Sequence, residues 1–313
     1  MKKTLIAVAA LAALTACENR LEETVSFDAT VADNAALTQN ADGTFEAKVG
    51  TQVTFLFDGN ADFITLKQDV FNETDATLNF DSKVSWNDNA DNLSLFISTT
   101  FAGLQGDDAQ ADGLLVSSHE WTDISDRCTW PSVRNDEQHT AVDLSAYRGQ
   151  DVVLAFRYKT SDNSGFQPMF TISDLRVNNR VIKTGLQTDS VVASNMGLRA
   201  LDMLQLDSDS AAYANSTAQG TWDTSNPNSI VIRQSTKGRD LNEDWLISRP
   251  IRIITGKVSE LDSHPIKNFY LDIDSYDYEF TETGTYTLTF RAANANYKHQ
   301  STTEKTFTFI ISE

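Results

Sequence analysis

Apolar and polar side chains alternate along most of this chain, and helical spacing is almost absent. Val25-Ser26-Phe27-Asp28-Ala29-Thr30-Val31 alternates at every step, the two-residue period of a strand with one buried face. Phe45-Glu46-Ala47-Lys48-Val49-Gly50 and Val53-Thr54-Phe55-Leu56-Phe57 continue the pattern, and Asp58-Gly59-Asn60 ends it. Near the other end, Tyr276, Tyr278 and Phe280 lead to a turn at Gly284. Thr285-Tyr286-Thr287-Leu288-Thr289-Phe290 then opens another strand, and residues 307–311 give a last one. Between these ends, Leu78, Phe80, Val84 and Trp86 share one predicted strand, and Leu93, Leu95 and Ile97 a second. In a third, Val152, Leu154, Phe156 and Tyr158 oppose Val153, Ala155 and Arg157; residues 230–232 and 245–247 add two more. Turn-rich stretches at 87–91, 103–113, 161–165 and 225–228 separate them. Two segments read as helical, residues 193–206 and a turn at 144–147; Gly197 weakens the first.

Many short strands between frequent turns predict an all-β protein built from sandwiches. Residues 25–66 hold too few strands to bury a core alone, and so do residues 266–313. We therefore expect one sandwich split between them and interrupted by an inserted module, residues 67–265. Two unrelated β-modules are the alternative. The segment from Lys48 to Phe55 and the Thr-Tyr-Thr-Leu-Thr run after Gly284 resemble the PKD type of immunoglobulin-like sandwich.

The first residues are of another kind. Lys2 and Lys3 precede an apolar run from Leu5 to Leu14, followed by Leu14-Thr15-Ala16-Cys17. That is the layout of a secretory signal, and the run is shorter than the roughly 20 apolar residues of a spanning helix. Cysteine directly after Leu-Thr-Ala resembles a bacterial lipobox. The resemblance implies removal of residues 1–16, acylation of Cys17 by chains such as palmitate, and a lipidated tether over residues 17–24. Several acyl chains together hold a protein to a bilayer where one alone holds only marginally.

Further motifs carry a family resemblance. They are Leu93-Ser94-Leu95-Phe96-Ile97-Ser98-Thr99-Thr100-Phe101, Trp121-Thr122-Asp123-Ile124-Ser125, Val142-Asp143-Leu144-Ser145-Ala146-Tyr147-Arg148-Gly149, Leu154-Ala155-Phe156-Arg157-Tyr158 and Asn242-Glu243-Asp244-Trp245-Leu246-Ile247-Ser248. They resemble jelly-roll surface modules of the carbohydrate-binding kind. Together with the lipobox and the PKD-like halves, the mature chain resembles the lipoprotein family catalogued as domain of unknown function 5017. That resemblance implies a Bacteroidota outer-membrane lipoprotein, exposed on the cell surface and associated with a Sus-type nutrient importer.

Charge narrows the partners. The formal net charge is −19, and removal of residues 1–16 takes away two lysines and no acid. So acidic a body repels phosphate backbones and lacks the basic patch that nucleic-acid binding needs. With Cys17 acylated, Cys128 has no partner for a disulfide, and reads as a small buried hydrophobe.

The chemistry that remains is sparse. His119, His139, His264 and His299 lie far apart in no ligand pattern. Oxygen-rich loops suit calcium better. Asp107, Asp108 and Asp112 share one loop, and Asn87, Asp88, Asn89 and Asp91 another; a structural calcium is the cofactor they would take, against a reading as solvated acids. No nucleophile elbow or Cys/His pair is present, and a catalytic carboxylate pair cannot be singled out among 44 acids. The chain therefore reads as a non-catalytic protein, with a glycoside-acting enzyme the losing alternative.

Glycan binding uses aromatic faces beside amides, acids and arginine. Trp130, with Arg134 and Asn135 close in sequence, is the foremost candidate, followed by Trp86, Tyr213 and Trp222. Trp121 and Trp245 sit at strand-like positions and read as core. Asp189-Ser190-Val191 and Asp209-Ser210-Ala211 resemble Bacteroidota O-glycosylation acceptors. The expected function is capture of surface glycan for a Sus-type importer. The alternative is an accessory importer subunit handling peptides or another nutrient.

Overall fold

The two-residue period folds as strands almost throughout. The computed structural model describes residues 24–85, 92–160, 167–204, 206, 221–232, 241–295 and 298–313. The chain divides into two compact units, Met1–Asn72 with Lys257–Glu313, and Glu73–Gly256. The expected boundary after residue 66 falls inside a strand, Phe63–Ser85, whose alternation runs past it without a turn.

In the first unit, Phe27–Val31, Gln52–Gly59 and Ser275–Glu279 form an antiparallel three-stranded sheet. A second sheet pairs residues 63–71 with Gly284–Ala295, that strand with Gln300–Ser312, and the last in parallel with Phe45–Lys48. Alternation decides what lies between the sheets. Val53 and Phe55 are fully buried while Leu56 between Phe55 and Phe57 is exposed. Phe55 and Phe57 meet Phe290 of the other sheet with ring centres 4.7 and 5.2 Å apart. Each such ring, when fully buried, contributes about 1.5–3 kcal/mol of apolar transfer. Gly284, expected in a turn, opens its strand at a φ of 155°, open to glycine at no steric cost.

In the second unit, residues 74–85 pair with Met169–Val181 on one side and Glu137–Asp143 on the other. Met169–Val181 also pairs with Ile230–Ile232 and Gln187–Val192. A six-stranded sheet faces them, in the order Arg199–Asp202, Glu243–Ile247, Asp151–Lys159, Leu93–Ser98, Thr122–Asp123, with Ile251–Arg252 also on Asp151–Lys159. Leu78, Phe80, Phe170 and Ile172 from one sheet pack on Leu95, Leu154, Phe156 and Leu246 from the other. Phe80 and Phe156 meet edge to face at 5.2 Å.

Two expectations change. Residues 193–206 do not form a helix. A 3-10 turn at Ala193–Asn195 stops at Gly197, whose φ is +58°, and Arg199–Asp202 is a strand. The tertiary pairing of Arg199–Asp202 with Glu243–Ile247 overrides a weak helical pattern. Conversely, the stretch read as turn-rich before Gly113 holds an α-helix, α1 (Ala109–Ser118). Asp108 caps it, its side chain accepting from the Ala111 backbone N–H at 3.0 Å.

Candidate functional site

Of the ligand-binding candidates named from the sequence, Trp222 is closed off, Trp130 is half-buried, and Arg134 and Asn135 are exposed. Trp222 is a correction: it is fully buried in the second unit's core, its ring 6.4 Å from Phe156, so no ligand stacks on it. Trp130 is half-buried. Its ring packs 5.7 Å from fully buried Phe80, and its Nε1 donates to the Ser125 carbonyl at 3.0 Å. Arg134 and Asn135 are exposed on the following turn, where Asn135 takes a φ of 65° and donates its backbone N–H to Val84. Cys17, Trp86, Tyr213 and the acidic loop from Asn87 to Asp91 lie outside the described residues. Ser190 is half-buried in a strand, its hydroxyl donating to Asn178 at 2.7 Å.

The calcium candidates Asp107, Asp108 and Asp112 have separate placements. Asp112 is fully buried, with Oδ1 accepting from Gln105 N–H at 2.8 Å and Oδ2 from Gly106 N–H at 2.7 Å. Asp108 is spent on the helix cap, and Asp107 is exposed. Asp112 ties the loop at Gln105 and Gly106 to α1, and Asp108 caps the helix. Among the described residues no group of three or more His, Cys, Asp or Glu is placed to hold a metal ion.

A different cluster emerges on the outer face of the six-stranded sheet. Along Asp151–Lys159, Val153, Ala155 and Arg157 point away from the main core. Register sets Phe96 and Ile247 beside Ala155, and Trp245 beside Arg157. α1 covers part of this face, burying Ala109 and Val116 in a small cluster with Phe101, Val153, Leu201 and Trp245. The chain after α1 then delivers His119 and Trp121. The rings run on in contact: Phe101 to Trp121 at 4.8 Å, His119 to Trp121 at 5.0 Å, Trp121 to Trp245 at 5.5 Å, and Trp245 to Phe96 at 5.3 Å. Trp121 Nε1 donates to the Val116 carbonyl at 3.1 Å, and His119 Nε2 lies 2.7 Å from Ser98 Oγ.

Polar groups close one side. Arg157 donates from Nε and Nη2 to Glu243 Oε1 at 3.0 and 2.6 Å, while Lys159 Nζ lies 3.0 Å from Glu243 Oε2. The Arg157 guanidinium carbon stands 5.5 Å from the centre of the Trp245 ring, within cation–π range. Burial works against ionised Glu243, but the hydrogen bonds from Lys159 and Arg157 outweigh it and hold its carboxyl below the ordinary glutamate value. Arg157 and Glu243, with Phe96, Val116, Ser117, His119, Trp121, Met203 and Trp245, line a cavity of about 280 Å³. Trp121, His119, Arg157 and Glu243 are half-buried around it, and Trp245 is 6% exposed. Trp245 Nε1 is buried with no hydrogen-bond partner. Two other cavities, of about 300 and 500 Å³, lie in the first unit and lack tryptophan.

An aromatic wall with a fixed guanidinium–carboxylate pair beside it suits a flat, partly apolar, hydroxyl-bearing ligand. Rings take the C–H face, and the ion triad offers donors and an acceptor in set positions.

The family described as domain of unknown function (DUF5017) has a model that matches residues 16–198, and no curated protein matches the chain. The chain belongs to that family. The matched span carries Phe96, His119, Trp121 and Arg157 of the cavity; Glu243 and Trp245 lie beyond it.

Proposed function

We propose that this DUF5017 protein is a non-catalytic outer-membrane lipoprotein, held by acylated Cys17 and exposed at the cell surface, that captures glycan for a Sus-type importer. The observation that supports glycan capture is the outer-face cavity, where Trp121 and His119 stand half-open beside Arg157 and Glu243. Stacking on Trp121 supplies affinity, and the Arg157–Glu243 pair reads hydroxyl positions. The charge of the body disfavours strongly anionic polymers.

Affinity electrophoresis through gels containing single polysaccharides tests the reading directly. Retardation by at least one polysaccharide is expected, with Trp121→Ala weakening it about tenfold, equivalent to about 1.4 kcal/mol. Retention by none, or retention untouched by Trp121→Ala, overturns glycan capture at this site. Affinity purification of the tagged lipoprotein from solubilised outer membranes tests the importer association. Recovery of the protein alone rejects it.

A further inference from the structure

The β-turn at 268–271 in the first unit carries an apolar tip that its own fold does not cover. Tyr270 is 94% exposed and Leu271 47%, with the Tyr270 ring edge-on to half-buried Phe269 at 5.5 Å. The tip is held in shape: Asn268 accepts from Tyr270 N–H through Oδ1 and from Leu271 N–H through its carbonyl, both at 3.0 Å. A single exposed apolar side chain is ordinary. The position of this one is not.

The turn stands at the end of the unit where the chain from the anchor arrives. Lys267, Asp272 and Asp274 line a cavity of about 300 Å³ together with Phe27 and Gly59. The Asp274 carbonyl accepts from Phe57 N–H at 2.8 Å, and Asn60 binds both Thr24 and Ser26, accepting from Ser26 N–H at 2.6 Å. Thr24 is seven residues beyond Cys17, and seven residues span at most about 25 Å fully extended. Whatever surface Cys17 is inserted in therefore lies within a short reach of this end.

We propose that the Phe269–Tyr270–Leu271 tip rests on the lipid surface that holds the anchor and thereby orients the first unit on the bilayer. The inference depends on the lipid-anchor reading above. A tyrosine suits the headgroup level, where its ring is shielded and its hydroxyl stays wet. Acyl chains supply the affinity, so the tip contributes orientation. Asp272 and Asp274 beside it favour a zwitterionic surface over an anionic one.

The test uses the full lipidated chain in phosphatidylcholine vesicles. Tyr270→Cys and, at the opposite end of the Ser275–Glu279 strand, Thr281→Cys are each labelled with an environment-sensitive fluorophore. Burial and nearby acids push the Cys128 thiol up to about 12, so at neutral pH the introduced thiol is the one that reacts. On reconstitution, emission from position 270 should shift to shorter wavelength and be quenched several-fold more by spin-labelled phospholipid than emission from 281. Equal response at the two positions overturns the proposal. Flotation with vesicles, lost in Cys17→Ala, checks the anchor separately. Failure of the unaltered chain to float removes the premise and the proposal with it, whereas flotation with equal quenching removes the proposal alone.

Discussion

Along Asp151–Lys159 the even-numbered residues Val152, Leu154, Phe156 and Tyr158 join the main core of the second unit, while Val153 and Ala155 join a smaller cluster on the outer face. The same strand thus serves two environments. The inner face is closed by another sheet and filled with aliphatic and aromatic side chains. The outer face is only partly closed by α1. It leaves rings half-open, an indole N–H unpartnered and an Arg157–Glu243–Lys159 triad in place of apolar cover. Apolar residues would stabilise that face at least as well, since partly buried ion pairs repay little of their desolvation. Its composition is what the proposed glycan capture would use.

The comparison is sharpened most by removing one ring from each face. Phe156→Ala should cost about 3–5 kcal/mol, because it opens a cavity against Phe80 and Trp222 where nothing can collapse. Urea unfolding measures it. A loss below 1 kcal/mol would mean the inner face is not the main core.

Glu243→Gln comes next. It takes the counter-charge from Arg157 and Lys159 and leaves one acceptor oxygen where the carboxylate had two, and should cost about 2 kcal/mol at neutral pH, as expected for hydrogen bonds to a charged group. The sign follows from a carboxyl whose folded value lies below its ordinary one. Its contribution is present above the unfolded value and is lost as pH falls through the folded value. The gap between variant and parent should therefore narrow below about pH 4. A gap that is the same at pH 7 and pH 3 would place the cost in packing instead.

Trp121→Ala separates the faces by function. It should weaken glycan retention about tenfold, or about 1.4 kcal/mol, while its urea midpoint moves far less than that of Phe156→Ala. If binding survives and stability collapses, the outer face is simply a second core.

The period-two pattern made the strands legible, because a residue such as Phe55 between Thr54 and Leu56 has one burial assignment whichever partner strand it meets. It could not say whether the second face of a strand is covered. The run from Val152 to Phe156 is buried at every position, and that continuous apolar stretch was the available sign of a sheet closed on both sides. α1 was hidden by Gly113 and by acids that resembled a loop, although Asp108 before Ala109, Gln110 and Ala111 is a fair N-cap signature. Trp130 stood outside any alternating strand, and sequence gave no means of seeing that its ring returns to Phe80. Trp121 reaches the cavity only through α1, which brings the chain back across the sheet.

The smallest effect probes two neighbours on one strand. Glu243 turns to the outer face and is held ionised; Asp244, one residue on, is 2% exposed on the side of Tyr158 and Trp222. Its Oδ2 has no hydrogen-bond partner. Burial first, then the charges of Asp202 and Glu243, raise its carboxyl well above the ordinary aspartate value. The sign is the reverse of that at Glu243. Stability is fully present below the unfolded value and declines as pH rises through the folded one, because the core must then hold an uncompensated charge. Asp244→Asn removes that charge at little change of shape. It should raise stability by about 1 kcal/mol at pH 8, the low end of what an unpaired buried charge costs, and by nothing at pH 3. Thermal melts of both proteins at the two values decide it. A variant less stable at pH 8 would mean that Asp244 is ionised and paired, and that the inner face tolerates charge as the outer one does.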